Sequence, residues 1–176
     1  MATTYTVSSG DVIRPWRNVR VQEYPVHTSQ TVLQGSVLKA DTAGYENRAV
    51  LSTDTTTAKI LGVAAEAITT TSTHNAVTDR VLVYLATEDA EFIARTDADT
   101  AVDFTMLGGN YELEIDGTNS ITRVQLDGTT YEVVKLLQFI DPVTKNKQAT
   151  EGDYNVFVVF KFIPGATVYG TGVVLA

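Results

Sequence analysis

Three features of the sequence predict an all-β fold. Threonine and valine are abundant, and their stiff β-branched side chains suit a pleated sheet better than a helix. The apolar runs are of strand length. Clusters of Gly, Asn, Asp and Thr interrupt them at short intervals, as in small β-domains. The expected architecture is an extended N-terminal arm at 1–25, a small β-barrel unit at 26–100 and a second β-rich lobe at 101–176. At most one short helix is expected.

The arm carries two prolines in "IRPWRNVRVQEYPVH", and the residue before each is pushed towards extended backbone. One strand is expected at "VRVQEY". "TVLQGSVLKAD" reads as a strand kinked at Gly35, "YENRAVLST" as a second, and "AKILGVAAEAI" as a third with Gly62 at a bulge or close approach. "DRVLVYLAT" sets Val81, Val83 and Leu85 against Leu82, Tyr84 and Ala86, which predicts burial on both faces in a small closed barrel. "AEFIART" is the fifth strand of this unit. "TTTSTHNAVTD", which precedes the fourth, reads as an exposed loop tip holding His74.

"TDADTAVDFTMLGG" is the helix candidate, with Thr96 or Asp97 as cap and Gly108–Gly109 as stop. Two hairpins are then expected, one with Asp116-Gly117 at its tip and one with Asp127-Gly128. "DPVTKNKQATEGD" is a longer loop. "NVFVVFKFI" is apolar on both faces for most of its length, and "PGATVYGTGVVLA" offers one more strand.

Composition limits the function. The apolar fraction is 44 %, enough for a real core, and no run approaches the roughly 20 residues of a membrane-spanning helix, so no membrane partner is expected. The N-terminus does not read as a secretory signal. Without cysteine there are no disulfides, thiolate metal sites or cysteine nucleophiles. The net charge of −8 repels phosphate backbones and argues against nucleic acid as a partner. Residues 1–39 run against this trend. Arg14, Arg17, Arg20 and Lys39 outnumber Asp11 and Glu23 by two charges, so the remainder carries −10. A basic arm on an acidic body suits docking to an acidic protein surface, although a solvated tail has the same composition.

Catalytic constellations do not assemble. The only histidines, His27 and His74, lack a nucleophile motif such as GxSxG. Asp97, Asp99 and Asp103 superficially resemble a calcium loop, but glycine and glutamate are missing from its sixth and twelfth positions. An acid-rich helix start explains them better. Glu88, Asp89 and Glu91 read as a solvated turn, with at most a shallow cation site. "GATVYGTG" is no phosphate loop, because no GK[ST] follows it. Neither a cofactor nor a metal is expected, and the chain is read as a non-enzyme. Trp16, between Arg14 and Arg17, is either the anchor of the arm or a plug into a neighbouring subunit, since Trp and Arg are enriched at interface hot spots. The candidate interface is Arg14, Trp16, Arg17, Arg20 and Tyr24.

The succession "TVLQGSVLKAD…AKILGVAAEAI…RVLVYLATEDAEFIART" resembles the capsid decoration, or cement, proteins of tailed bacteriophages, which have a tulip-like β-fold. The later "MLGGNYELEI" and "DPVTKNKQATEGDYNVFVVFKFI" are similar to longer phage head proteins with a second β-lobe. The resemblance covers about residues 26–165 and rests on hydrophobic pattern and glycines, "ILGVA" above all. It implies a virion protein on the outer surface of the capsid, bound to the major capsid protein as a homotrimer and stabilising the mature shell. It also implies an arm that reaches to the shell or an adjacent subunit, so that removing residues 1–24 would abolish binding and leave the body folded. Two alternatives stand beside it: another virion component (minor capsid, head-completion or tail-tube protein), or a β-sandwich carbohydrate-binding module using some of the eight tyrosines.

Overall fold

In the computed structural model, the residues described are 2–6, 8, 10–41, 48–52, 59–75, 77–116, 121–128, 130–145 and 147–168. The chain is all-β, with no helix longer than a single 3-10 turn among these residues.

Five strands form the first sheet: β2 (Val21–Pro25), β4 (Val37–Ala40), β5 (Ala49–Leu51), β6 (Ile60–Ala64) and β8 (Arg80–Leu85). Their order is β2-β8-β6-β4-β5, every pair antiparallel. An open sheet of this kind would leave two unpaired edges. Here the ends meet, because Val26, just past β2, forms a parallel bridge with Ala49 of β5, and the His27 N–H donates to the Ala49 carbonyl at 3.0 Å. The sheet is thereby a five-stranded barrel. A short ribbon of β3 (Thr31–Val32) and β7 (Ile68–Thr69) lies beside it in sequence.

The second sheet has the order β1-β9-β13-β12-β10-β11, from β1 (Arg14–Arg17), β9 (Glu91–Arg95), β10 (Asn110–Asp116), β11 (Ile121–Gln125), β12 (Val134–Ile140) and β13 (Phe157–Phe162). It closes by the same device. Thr96, just past β9, bridges Val124 of β11 in parallel, and the Asp97 N–H donates to the Val124 carbonyl at 2.9 Å. The second lobe is therefore also a five-stranded barrel, with β1 added to it along β9.

The chain passes between the barrels three times. β1 lies on the second barrel and β2 in the first; β8 lies in the first and β9 in the second. After β13 the chain returns, with Thr167 bridging Ile60 and the Val168 N–H donating to the Ile60 carbonyl at 3.0 Å. Val168 is buried in the first barrel's core with Val26, Leu38, Leu61, Val81 and Val83. The larger core fills the second barrel with Phe92, Leu136, Phe139, Phe160 and Phe162, and continues through Ile13, Val37, Ile60 and Val63 between the barrels. The rings of Phe92, Phe160 and Phe162 lie 5.4–6.0 Å apart. Such aromatic pairs add about 0.5–1.5 kcal/mol each beyond area burial.

Several expectations are corrected. Residues 14–25 supply one strand to each barrel rather than a free arm, because Ile13 and Tyr24 are buried and the backbone pairs with β9 and β8. Removing residues 1–24 would take out these strands, so a folded truncated body is not expected. The fifth strand, "AEFIART", belongs to the second barrel, and the change of sheet falls at 86–90 rather than at 100. No helix spans 97–107; one 3-10 turn covers Phe104–Met106, capped by the Asp103 carboxylate, which accepts the Thr105 N–H at 2.8 Å. Thr96 and Asp97 are committed to the barrel seam and cannot cap a helix. The hairpin at Asp116 forms, with Asp116 opposite Ile121; its Gly117 tip lies outside the described residues. Asp127-Gly128 is not a hairpin tip, because β12 pairs with β10 and not with β11. The second face of β8 is buried only in part: Ala86 is buried and Tyr84 packs against the larger core, but Leu82 is 40 % exposed. Of the strand expected at "PGATVYGTGVVLA", Pro164–Ala166 form a 3-10 turn, and "YGTGVVLA" lies outside the described residues.

Gly62 is the tightest point of the first barrel. A Cβ there would lie 2.0 Å from the Tyr84 carbonyl oxygen on β8, and the pairing of β4 with β6 slips beside it. Gly35 (φ +81°) admits the chain at Val12 and Ile13 in the same way. Gly62→Ala must push β6 from β8 and is expected to lower unfolding stability by about 3 kcal/mol or more. Denaturant unfolding monitored by the single tryptophan checks this.

Candidate docking surface

Proline is tolerated at a sheet edge because its missing N–H is not required by a second neighbour. Pro15 occupies such a place, opposite Phe92 in β1. The β1–β9 register shifts between Pro15 and Arg17, so Trp16 sits at an irregularity that stops regular pairing. Trp16 is 36 % exposed, large for an indole on a folded body. Arg14 and Arg17 flank it, both exposed. Asn18 then turns the chain at φ +55°, and Arg20 enters the crossover to β2. The Leu85 N–H donates to the Arg20 carbonyl at 2.9 Å, which fixes this crossover against the end of β8. The two crossovers, Asn18–Arg20 and Thr87–Asp89, line an open cleft of about 560 Å³ with Glu88 on its acidic side. On the outer face of β2–β8, Val21 (51 %) and Leu82 are exposed.

What holds this edge rigid is a buried guanidinium. The Arg95 Nη1 donates to the Asn155 carbonyl at 2.6 Å; its Nη2 donates to the Thr6 carbonyl at 3.2 Å and to Asp11 Oδ2 at 3.0 Å. Its carbon Cζ lies 4.2 Å from the Phe157 ring centroid, and that of Arg14 lies 5.1 Å from the same ring. One side chain of β9 thus ties down the segment leading into β1. The preceding residues are also fastened. The Tyr154 N–H donates to Thr3 at 2.9 Å and the Thr3 N–H to Asp153 at 2.8 Å. The Tyr5 hydroxyl lies 3.4 Å from both Asp141 and Asp153, and burial together with these two carboxylates raises its pKa.

Of the five predicted interface residues, Arg14, Trp16, Arg17 and Arg20 fall along one exposed stretch. Tyr24 does not: it is 7 % exposed, opposite Val81, in the first barrel's core. Strand alternation turns it inward while Val21 and Glu23 face out. Arg95, Asp11 and Phe157 were not foreseen, because Asp11 and Arg95 are 84 residues apart. A charge inside the apolar run "FIART" was the available signal.

Each histidine lies beside one carboxylate. His27 Nε2 lies 3.5 Å from Asp41, and His74 Nδ1 3.8 Å from Asp79. Asp79 accepts the Asn75 N–H at 2.7 Å, and its carbonyl accepts that of Val26 at 2.8 Å, so the His74 loop is pinned to the first seam rather than standing free. Among the described residues no three His, Asp or Glu side chains are placed to hold a metal ion. Asp103 has a lowered pKa through the Thr105 N–H and hydroxyl it accepts.

The geometry defines an all-β chain of two linked barrels with a rigid, basic, Trp-bearing edge. No protein-family model matches the chain, and no curated protein matches it.

Arg95→Ala removes the cation from beside Asp11 and leaves the Asn155 and Thr6 carbonyls without their donor. A loss of about 3–5 kcal/mol is expected, as for other broken buried pairs. Denaturant unfolding of both proteins measures it, and Asp11→Asn, whose site is closer to solvent, is expected to lose less.

Proposed function

We propose that this chain is a non-catalytic virion structural protein that binds the outer surface of a phage head as a homotrimer and stabilises the mature capsid. The observation that supports a docking role is Trp16, exposed between Arg14 and Arg17 on a strand whose backbone is already ordered. A rigid anchor avoids most of the ordering cost of binding, which a free arm would bear in full. An indole with flanking guanidiniums suits an acidic protein surface with an apolar recess. The bearer of that surface, in this reading, is the major capsid protein. Contacts repeated over a lattice hold by avidity even when each is weak.

The resemblance of "QGSVL", "ILGVA" and the valine-rich "RVLVYL" to decoration proteins supplies the virion part of the reading. In the structure these stretches are the adjacent strands β4, β6 and β8 of one barrel. Another virion component is separated from a decoration protein by copy number per particle. A carbohydrate module finds no support in the tyrosines described. Tyr24 is in the core, Tyr5 and Tyr111 pack against the larger core, and Tyr131, 47 % exposed, is the one among the exposed large apolar residues.

Co-sedimentation with compact and expanded shells of the encoding phage tests the proposal. Saturable binding to expanded shells is expected. Trp16→Ala, and separately Arg17→Glu with Arg20→Glu, are expected to weaken it at least tenfold, about 1.4 kcal/mol, with unchanged thermal unfolding. Absence of binding to both shell forms by the folded protein contradicts it.

A further inference from the structure

The seam of the second barrel contains a buried carboxylate that a static closure does not require. Asp97 is 4 % exposed. Its backbone N–H makes the closing bond to Val124. Its Oδ2 accepts the Leu126 N–H at 3.1 Å and the Thr100 hydroxyl at 3.1 Å. Its Oδ1 is buried and has no hydrogen-bond partner among the described residues. The charged groups around it are mainly acidic. Glu114 of β10 and Asp127 of the β11–β12 connection both oppose its ionisation. Arg123 of β11 stands opposite Glu114 in the ladder and pairs with Asp116. Asp99, further along the same loop, acts with Asp116 and Asp127 on Glu114.

We propose that Asp97 is a proton latch on the closure of the second barrel, tightened when its carboxyl is protonated and loosened when it is ionised. A protonated Asp97 keeps both accepted hydrogen bonds at Oδ2 and removes a buried charge beside Glu114 and Asp127. An ionised one puts that charge in a site with an unsatisfied oxygen. Burial, the largest effect, raises its pKa from 3.8 to about 6, against the lowering by Leu126 and Thr100. The folded value lies above the unfolded one. Protonation-linked stability is therefore complete below about pH 4 and is lost as pH rises through about 6. The latch lies two residues beyond Arg95, the last residue of the strand that carries β1.

Amide hydrogen exchange on the full chain tests this, read as protection factors for Asp97 and Leu126 where reclosing outruns exchange. Wild-type protection is expected to fall about tenfold between pH 5 and pH 7.5. Asp97→Asn, which keeps the acceptor without the charge, is expected to show no such fall. Should that variant not fold, Glu114→Gln is expected to move the wild-type midpoint to lower pH by removing a like charge. Equal protection at both pH values in wild type, the same slope in Asp97→Asn, or an unmoved midpoint in Glu114→Gln would each overturn the latch.

Discussion

An open sheet has two edges, and each barrel of this chain closes with a single parallel bridge made just past a strand, with β1 left as an edge beside the second. Val26 meets Ala49 in one barrel, and Thr96 meets Val124 in the other. Neither bridge could form if the crossovers between the barrels ran elsewhere, because Thr96 directly follows the strand that arrives from the first barrel. Closure, core and crossover are thus one constraint. A five-stranded barrel has a narrow interior, which is why small residues and close approaches, such as Gly62 against Tyr84, recur where strands turn inward.

The same constraint gives the N-terminal segment its character. Its residues serve both barrels, so its exposed side chains stand on a fixed backbone. Arg95 is the fastening. Buried at a position that faces Phe157, it satisfies two carbonyls and a carboxylate from two separate parts of the chain, the N-terminal segment and Asn155. Buried ion pairs contribute little net stability when compared with a well-packed apolar group, but they specify which segments meet. Here that specification orients the strand bearing Trp16, whose side chain stays partly exposed.

Much of the fold was legible in the sequence, for local reasons. Alternation in "RVLVYL" and "NVFVVFKFI", the glycine in "ILGVA" and the Asp-Gly at 116–117 all report on neighbours within a strand or a turn. The errors share a different cause. The seam at Thr96–Asp97 competes with helix capping, and only the long-range bond to Val124 decides between them. Asp127-Gly128 carries hairpin chemistry, but β10 already occupies the pairing edge that a hairpin would use. "AEFIART" was assigned by proximity in sequence, whereas the ladder partners of its strand in β1 and β13 are 60 or more residues away, as with Arg95 and Phe157. The exposure of Arg14, Trp16, Arg17 and Arg20 was legible because a Trp between arginines has no local reason to be buried. Tyr24 was misplaced because its inward direction depends on the register with Val81.

Residues 14–25 hold structural strands paired with β9 and β8, not a mobile arm. Amide exchange of Gln22 and Tyr24, whose N–H groups face β8, tests this in the isolated protein. Protection comparable to that of β6 and β8 is the predicted result. Exchange at the rate of an unstructured peptide, with the β6 and β8 amides still protected, would contradict it.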